Sequence, residues 1–130
     1  MILVDSSVWI DFFNPRPTRA GKELRRMIGD AEPFAITGVV ITEILKGLTR
    51  DSGEIERYLS MWDMLEPRGF RTYREAAAIF RRARAKGMRL STIDALIAAI
   101  ALEHGAGVFT VDRNFFRMAR LARLPLHPLP

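Results

Sequence analysis

Residues 91–115 read STIDALIAAIALEHGAGVFTVDRNF, and this stretch decides the fold class. Ser91-x-x-Asp94 has the spacing of a capping box, in which a hydroxyl and an acidic side chain each satisfy an orphan backbone N–H at a helix start. Apart from Asp94, every residue from Ile93 to Leu102 is apolar, so the predicted helix is buried on all sides. Gly105 suits its end. Val108–Val111 follows as a short, mostly apolar run closed by Asp112, and Arg113 to about Arg123 reads as a basic helix. A fully covered helix leading straight into a short apolar strand belongs to an α/β arrangement with a mainly parallel sheet.

The same alternation extends outward. Residues 1–4 (MILV) predict a strand buried on both faces, after which Ser6 or Ser7 caps a short helix carrying Val8, Trp9, Phe12 and Phe13. Asn14-Pro15-Arg16-Pro17 breaks the chain, and Thr18 opens a helix to about Gly29. Phe34–Thr37 is a second apolar run, residues 38–48 read as a helix, and Asp51-Ser52 begins another. In that helix Ile55, Tyr58, Leu59 and Trp62 form one stripe, a core face or a dimer face. A weak strand is expected near Met64–Glu66. Thr72-x-x-Glu75 predicts a capping box for a helix ending at Gly87, and Leu126–Leu129 predicts a final edge strand, where proline is tolerated. With no repeat or linker, residues 1–130 form a single α/β domain, with sites expected beyond the strand carboxyl ends.

Composition narrows the function. The chain has 130 residues, 48% hydrophobic, and no cysteine, which excludes a disulfide framework, a thiolate metal site and a cysteine nucleophile. No apolar stretch approaches a spanning helix and the start does not resemble a signal peptide, so a cytoplasmic location away from membranes is expected. The net charge of +5 is unevenly placed: residues 1–67 hold 8 basic and 11 acidic side chains, residues 68–130 hold 12 and 4. The basic half is therefore where an anionic partner would be met.

Most acids occupy ordinary places: Glu23, Glu54, Glu56 and Glu75 on polar helix faces or in first turns, Asp30, Glu32 and Asp51 near breaks. Four do not. Asp5 ends the first strand, Asp112 follows the strand at 108–111, Glu43 interrupts an apolar helical stretch, and Asp94 is the only charge between Leu90 and Leu102. Each has a local alternative: Asp5 as a cap, Glu43 paired with Lys46, Asp94 completing its box, Asp112 in a turn. Together they converge on one edge of a parallel sheet, where four carboxylates repel one another unless a cation lies between them. A hard divalent ion with oxygen ligands, Mg²⁺ or Mn²⁺, is the natural occupant.

The segments ILVDSSVWIDFF (2–13), TEILKGL (42–48) and STIDALIAAIALEHGAGVFTVDRNF (91–115), in this order, resemble the PIN-domain ribonucleases, most closely the VapC-type toxins of toxin–antitoxin pairs. The resemblance covers nearly the whole chain. It implies a three-layer PIN-like domain, and makes Asp5, Glu43, Asp94 and Asp112 the acidic quartet that holds Mg²⁺ or Mn²⁺. It further implies metal-dependent endonucleolytic cleavage of RNA, neutralisation by a cognate VapB-type antitoxin, and pairing as a homodimer. Ser6 (where the family often has threonine) or Ser7, together with Thr110, matches polar positions lining that site, and Asn114 is placed to assist Asp112. Glu43 is the candidate to remove the attacking water's proton.

Arg113, Arg117 and Arg120 form a stripe beginning beside Asp112, suited to RNA phosphates. Arg81, Arg82, Arg84, Lys86 and Arg89 form a second cluster leading toward Asp94, and either can instead meet the antitoxin. Two rivals remain: a PIN-like module that binds RNA without cutting it, and a phosphoacceptor receiver-like signalling domain. The latter normally needs an acidic pair after its first strand, whereas Asp5 here is followed by Ser6-Ser7.

Overall fold

The computed structural model describes all of residues 1–130. Its elements are β1 (Ile2–Val4), α1 (Ser6–Phe13), α2 (Arg19–Gly29), β2 (Phe34–Ala35), α3 (Gly38–Lys46), α4 (Ser52–Leu59), α5 (Phe70–Ala85), α6 (Thr92–Glu103), β3 (Gly107–Phe109) and α7 (Arg113–Ala122). The strands form a parallel sheet in the order β2-β1-β3, with Leu3 opposite Ala35 on one side and Val108 on the other. Leu3 and Val4 point to opposite faces and both are fully buried, so the sheet is covered on both sides. Helices α1 to α4 pack among themselves, α5, α6 and α7 pack together, and α3 against α6 links the groups. This is the expected three-layer α/β fold.

The helix at 92–103 is buried as its sequence demands: Ala95, Ile97, Ala98, Ala99, Ile100 and Ala101 are all core residues. Trp9 stacks on Phe13 (ring centroids 5.8 Å apart) and meets Phe12 and Tyr58 edge-on, while Phe34 packs on Trp62 at 4.6 Å. The stripe of Ile55, Tyr58, Leu59 and Trp62 is thus a core face, although α4 stops at Leu59 and Trp62 lies in the turn beyond it. Where α1 crosses α2, a Cβ on Gly21 would lie 2.9 Å from the Asp11 backbone, and the Asp11 carboxylate accepts from the N–H groups of Thr18 and Gly21. Burial alone would raise the Asp11 pKa, but these bonds, the Thr18 hydroxyl and the nearby Lys22 hold it below its ordinary value.

Three local expectations need correction. The strands expected near Met64–Glu66 and Leu126–Leu129 are single parallel bridges, Ile36 to Met64 and Val108 to Leu126. Pro67 and Pro125 fall where the next ladder N–H would donate and have none, which stops each ladder on that side. Thr72-x-x-Glu75 is not a capping box. Helix α5 starts at Phe70 behind Gly69 (φ 85°), which places Thr72 inside the first turn and fully buried. Its hydroxyl accepts from the Arg68 N–H at 2.7 Å and donates to the Glu103 carboxylate. No helix is long and apolar enough to cross a membrane.

Candidate functional site

Parallel strands deliver their following residues to one edge, and here that edge carries acids and hydroxyls. Asp5 leaves β1 only 4% exposed, with its N–H bonded to the Phe109 carbonyl at 2.9 Å. Its Oδ2 accepts from Thr110 at 2.8 Å and Ser7 at 2.9 Å. Thr110, buried just past β3, also accepts the Asp112 N–H at 3.1 Å. Ser6 reaches the other way: its hydroxyl donates to Glu43 Oε1 at 3.0 Å, joining the start of α1 to α3. Neither serine caps α1, whose flanking residue is Asp5, and Lys46 makes no ion pair with Glu43.

Asp94 and Asp112 are caps as well as members of this edge. The Ser91–Asp94 box forms as the spacing predicts, with the Asp94 N–H 3.0 Å from Ser91 Oγ. Asp112 caps α7 by accepting the Asn114 N–H at 2.9 Å. Burial pushes the Asp94 carboxyl above its ordinary pKa; its bonds with Ser91 oppose this, and the like charges of Asp112 and Asp5 add to it. That coupling brings three of the acids into one electrostatic neighbourhood, and the Ser6–Glu43 bond attaches the fourth one residue from Asp5. The positive ends of α1, α6 and α7 lie at Asp5, Asp94 and Asp112, which tempers the repulsion.

The donor set fits a hard cation. In each of the four carboxylates one oxygen is held by the chain and the other receives no protein hydrogen bond: Oδ1 of Asp5, Oε2 of Glu43, Oδ1 of Asp94 and Oδ2 of Asp112. No lysine, arginine or histidine lies within 4.0 Å of any of them. As the side chains lie, no group of three or more acidic or histidine residues is drawn close enough together to hold a metal ion. Drawn closer, such a set can hold Mg²⁺ or Mn²⁺ with part of its water shell retained.

Arg113, Arg117 and Arg120 are exposed on α7, and Arg120 lines a cleft with Thr110, Phe116 and His127. Asn114 shares a different cleft with Asp94, Arg84 and Arg89. Away from this edge, Glu23 is buried and Glu103 largely covered, with no local pattern to signal either. Glu23, expected on a polar face, is 5% exposed and sits between Arg26 and His127, both at 2.6 Å. The Arg26 hydrogen bond holds its pKa down to about 2, against burial and with help from His127. Glu103 is nearly as covered, bonded to Thr72.

A family model described as PIN domain matches residues 2–121. The VapC ribonuclease Mb1587 of Mycobacterium bovis is 34% identical over 128 residues, covering 95% of this chain and 96% of that protein. Among solved structures, VapC20 of Mycobacterium tuberculosis, described as a sarcin–ricin loop cleaving toxin, superposes with a TM-score of 0.71 at 17% identity, over 90% of this chain and 94% of its own. VapBC-5 of the same organism, a member of the VapBC family of toxin–antitoxin systems, gives 0.65 at 20% identity, over 98% and 97%. These two share the fold. The family match along almost the entire sequence, with a ribonuclease relative above 30% identity, makes this chain a member of the PIN-domain family.

Proposed function

We propose that the chain is a divalent-metal-dependent endoribonuclease, the toxin of a pair whose other half is a VapB-type antitoxin. The observation that carries this reading is the set of four free carboxylate oxygens on one sheet edge, none neutralised by a cation of the protein. The ribonuclease relative and the toxin–antitoxin context of the structural neighbours support it.

A bound Mg²⁺ or Mn²⁺ supplies charge stabilisation at a phosphoryl oxygen and lowers the pKa of water. The chain's part is orientation. Ser7 and Thr110 fix one oxygen of Asp5 and leave the other without a protein partner; Asp94 and Asp112 are fixed by their capping bonds in the same way. Ser6 holds Glu43 by Oε1, leaving Oε2 to take the proton of the attacking water. Asn114 orients Asp112 through its backbone N–H. Arginines of the basic half position the RNA backbone without reading its sequence.

The test is incubation of the purified protein, free of antitoxin, with end-labelled structured RNAs in Mg²⁺, Mn²⁺ or chelator. Discrete fragments with either metal and none with chelator are expected. Equal cleavage with chelator, or by Asp5→Asn and Asp94→Asn, contradicts the reading.

A further inference from the structure

A cleft of about 640 Å³ opens where α5 turns back into α6, with Asp94 and Asn114 among its lining residues. Its walls are of two kinds. Phe80, Met88 and Leu90 are apolar, while Arg84 and Arg89 are cationic. The Arg84 guanidinium lies over the Phe80 ring, 5.8 Å from its centroid. Unlike Arg26, Arg71 and Arg82, neither Arg84 nor Arg89 has a carboxylate within 4.0 Å. The volume suits a small organic group with its substituents. An aromatic ring, an overlying guanidinium and unpaired cations are together the features that bind a splayed-out base and its phosphates.

We propose that this cleft is a nucleotide subsite: one unpaired base stacks at Phe80 and Arg84, Arg89 and Arg84 hold the flanking phosphates, and the adjoining phosphodiester is thereby presented to the acids. The proposal rests on the ribonuclease reading and adds where the substrate's base is held. Its substrate consequence is a requirement for single-stranded RNA, since a base inside a helix cannot enter. Asp94 belongs to both the cleft and the acidic edge, so the subsite and the scissile bond share a wall.

The experiment measures binding of a short fluorescein-labelled single-stranded RNA in Mg²⁺ by anisotropy, in an Asp5→Asn background, beside an abasic oligomer of the same length. Phe80→Leu, which keeps packing against the core, is expected to weaken binding of the intact RNA about fivefold or more and to leave the abasic oligomer unchanged. Arg84→Gln with Arg89→Gln is expected to weaken both oligomers and to reduce the salt slope by about 1.4. Circular dichroism confirms that each variant folds. Equal affinity of wild type and Phe80→Leu for the intact RNA, or an equal loss for both oligomers, overturns the subsite. So does an arginine double variant that loses antitoxin binding but not RNA binding. If the unsubstituted protein cuts no RNA while the Phe80 difference persists, the catalytic reading fails and the subsite stands. Metal-dependent cleavage with no Phe80 difference is the reverse.

Discussion

The Thr110 hydroxyl donates to Asp5 Oδ2 at 2.8 Å, tying together the carboxyl ends of β1 and β3 across 105 residues of chain. Its oxygen accepts the Asp112 N–H, so one hydroxyl orients two of the four acids. Thr110→Val keeps the shape and removes both bonds. A 10–100-fold loss of metal affinity or activity is expected, about the size typical for partners that orient metal ligands. Ser7 still holds Asp5, so the melting temperature is expected to change little. Titration of Mn²⁺ into the variant, with a thermal melt alongside, checks both.

Asp94 carries a raised pKa from burial and from Asp112 and Asp5, so its ionisation opposes folding in the absence of metal. The folded state binds the proton more tightly than the unfolded one. The contribution is therefore present below the ordinary value of 3.8 and is lost as pH rises through the higher folded value. Asp94→Asn retains an acceptor for Ser91 and is expected to raise the metal-free melting temperature at neutral pH by about 3 °C. It is also expected to diminish stabilisation by added Mn²⁺. Equal stabilisation of variant and wild type would make Asp94 a cap alone.

Glu23 behaves in the opposite sense. Its pKa is held at about 2, chiefly by Arg26, so the stability it contributes is present above its ordinary value of 4.5 and is lost as pH falls toward 2. Glu23→Gln leaves His127 without its charged partner and Arg26 with only the more exposed Asp30 and Glu32, and a loss of about 1–3 kcal/mol is expected at pH 7. Urea unfolding at pH 7 and pH 3 measures it. The difference between wild type and variant should be smaller at the lower pH.

Arg117 and Arg120 lie exposed on the helix that begins at Asp112. Replacing both with glutamine is expected to weaken RNA binding and reduce the slope of log K against log salt by about 0.7 per lost phosphate contact. Binding measured across a salt series decides this, and an unchanged slope would make the stripe a solvated face.

The four acids could be picked out from sequence because each breaks a local pattern: Asp5 and Asp112 close apolar strands, and Glu43 and Asp94 interrupt apolar helices. The alternation of apolar runs and capped helices likewise foretold the parallel sheet. Choosing between Ser6 and Ser7 was not possible. One faces Glu43 and the other Asp5, a difference set by the phase of α1 against two separate elements. Glu23 reads as a surface acid because His127, which covers it, lies 104 residues away. Thr72 misled for a related reason: its capping spacing is real, but tertiary burial against Glu103 claims the hydroxyl.

The central claim is that the four free carboxylate oxygens hold a catalytic divalent ion. Calorimetric titration of Mn²⁺ into the metal-free protein, and into Asp5→Asn, Glu43→Gln, Asp94→Asn and Asp112→Asn, tests it most directly. The account predicts saturable binding by the wild type, weakened at least tenfold in each variant, with loss of RNA cleavage in parallel. Undiminished Mn²⁺ affinity in the four variants, or RNA cleavage that survives their substitution, would contradict it.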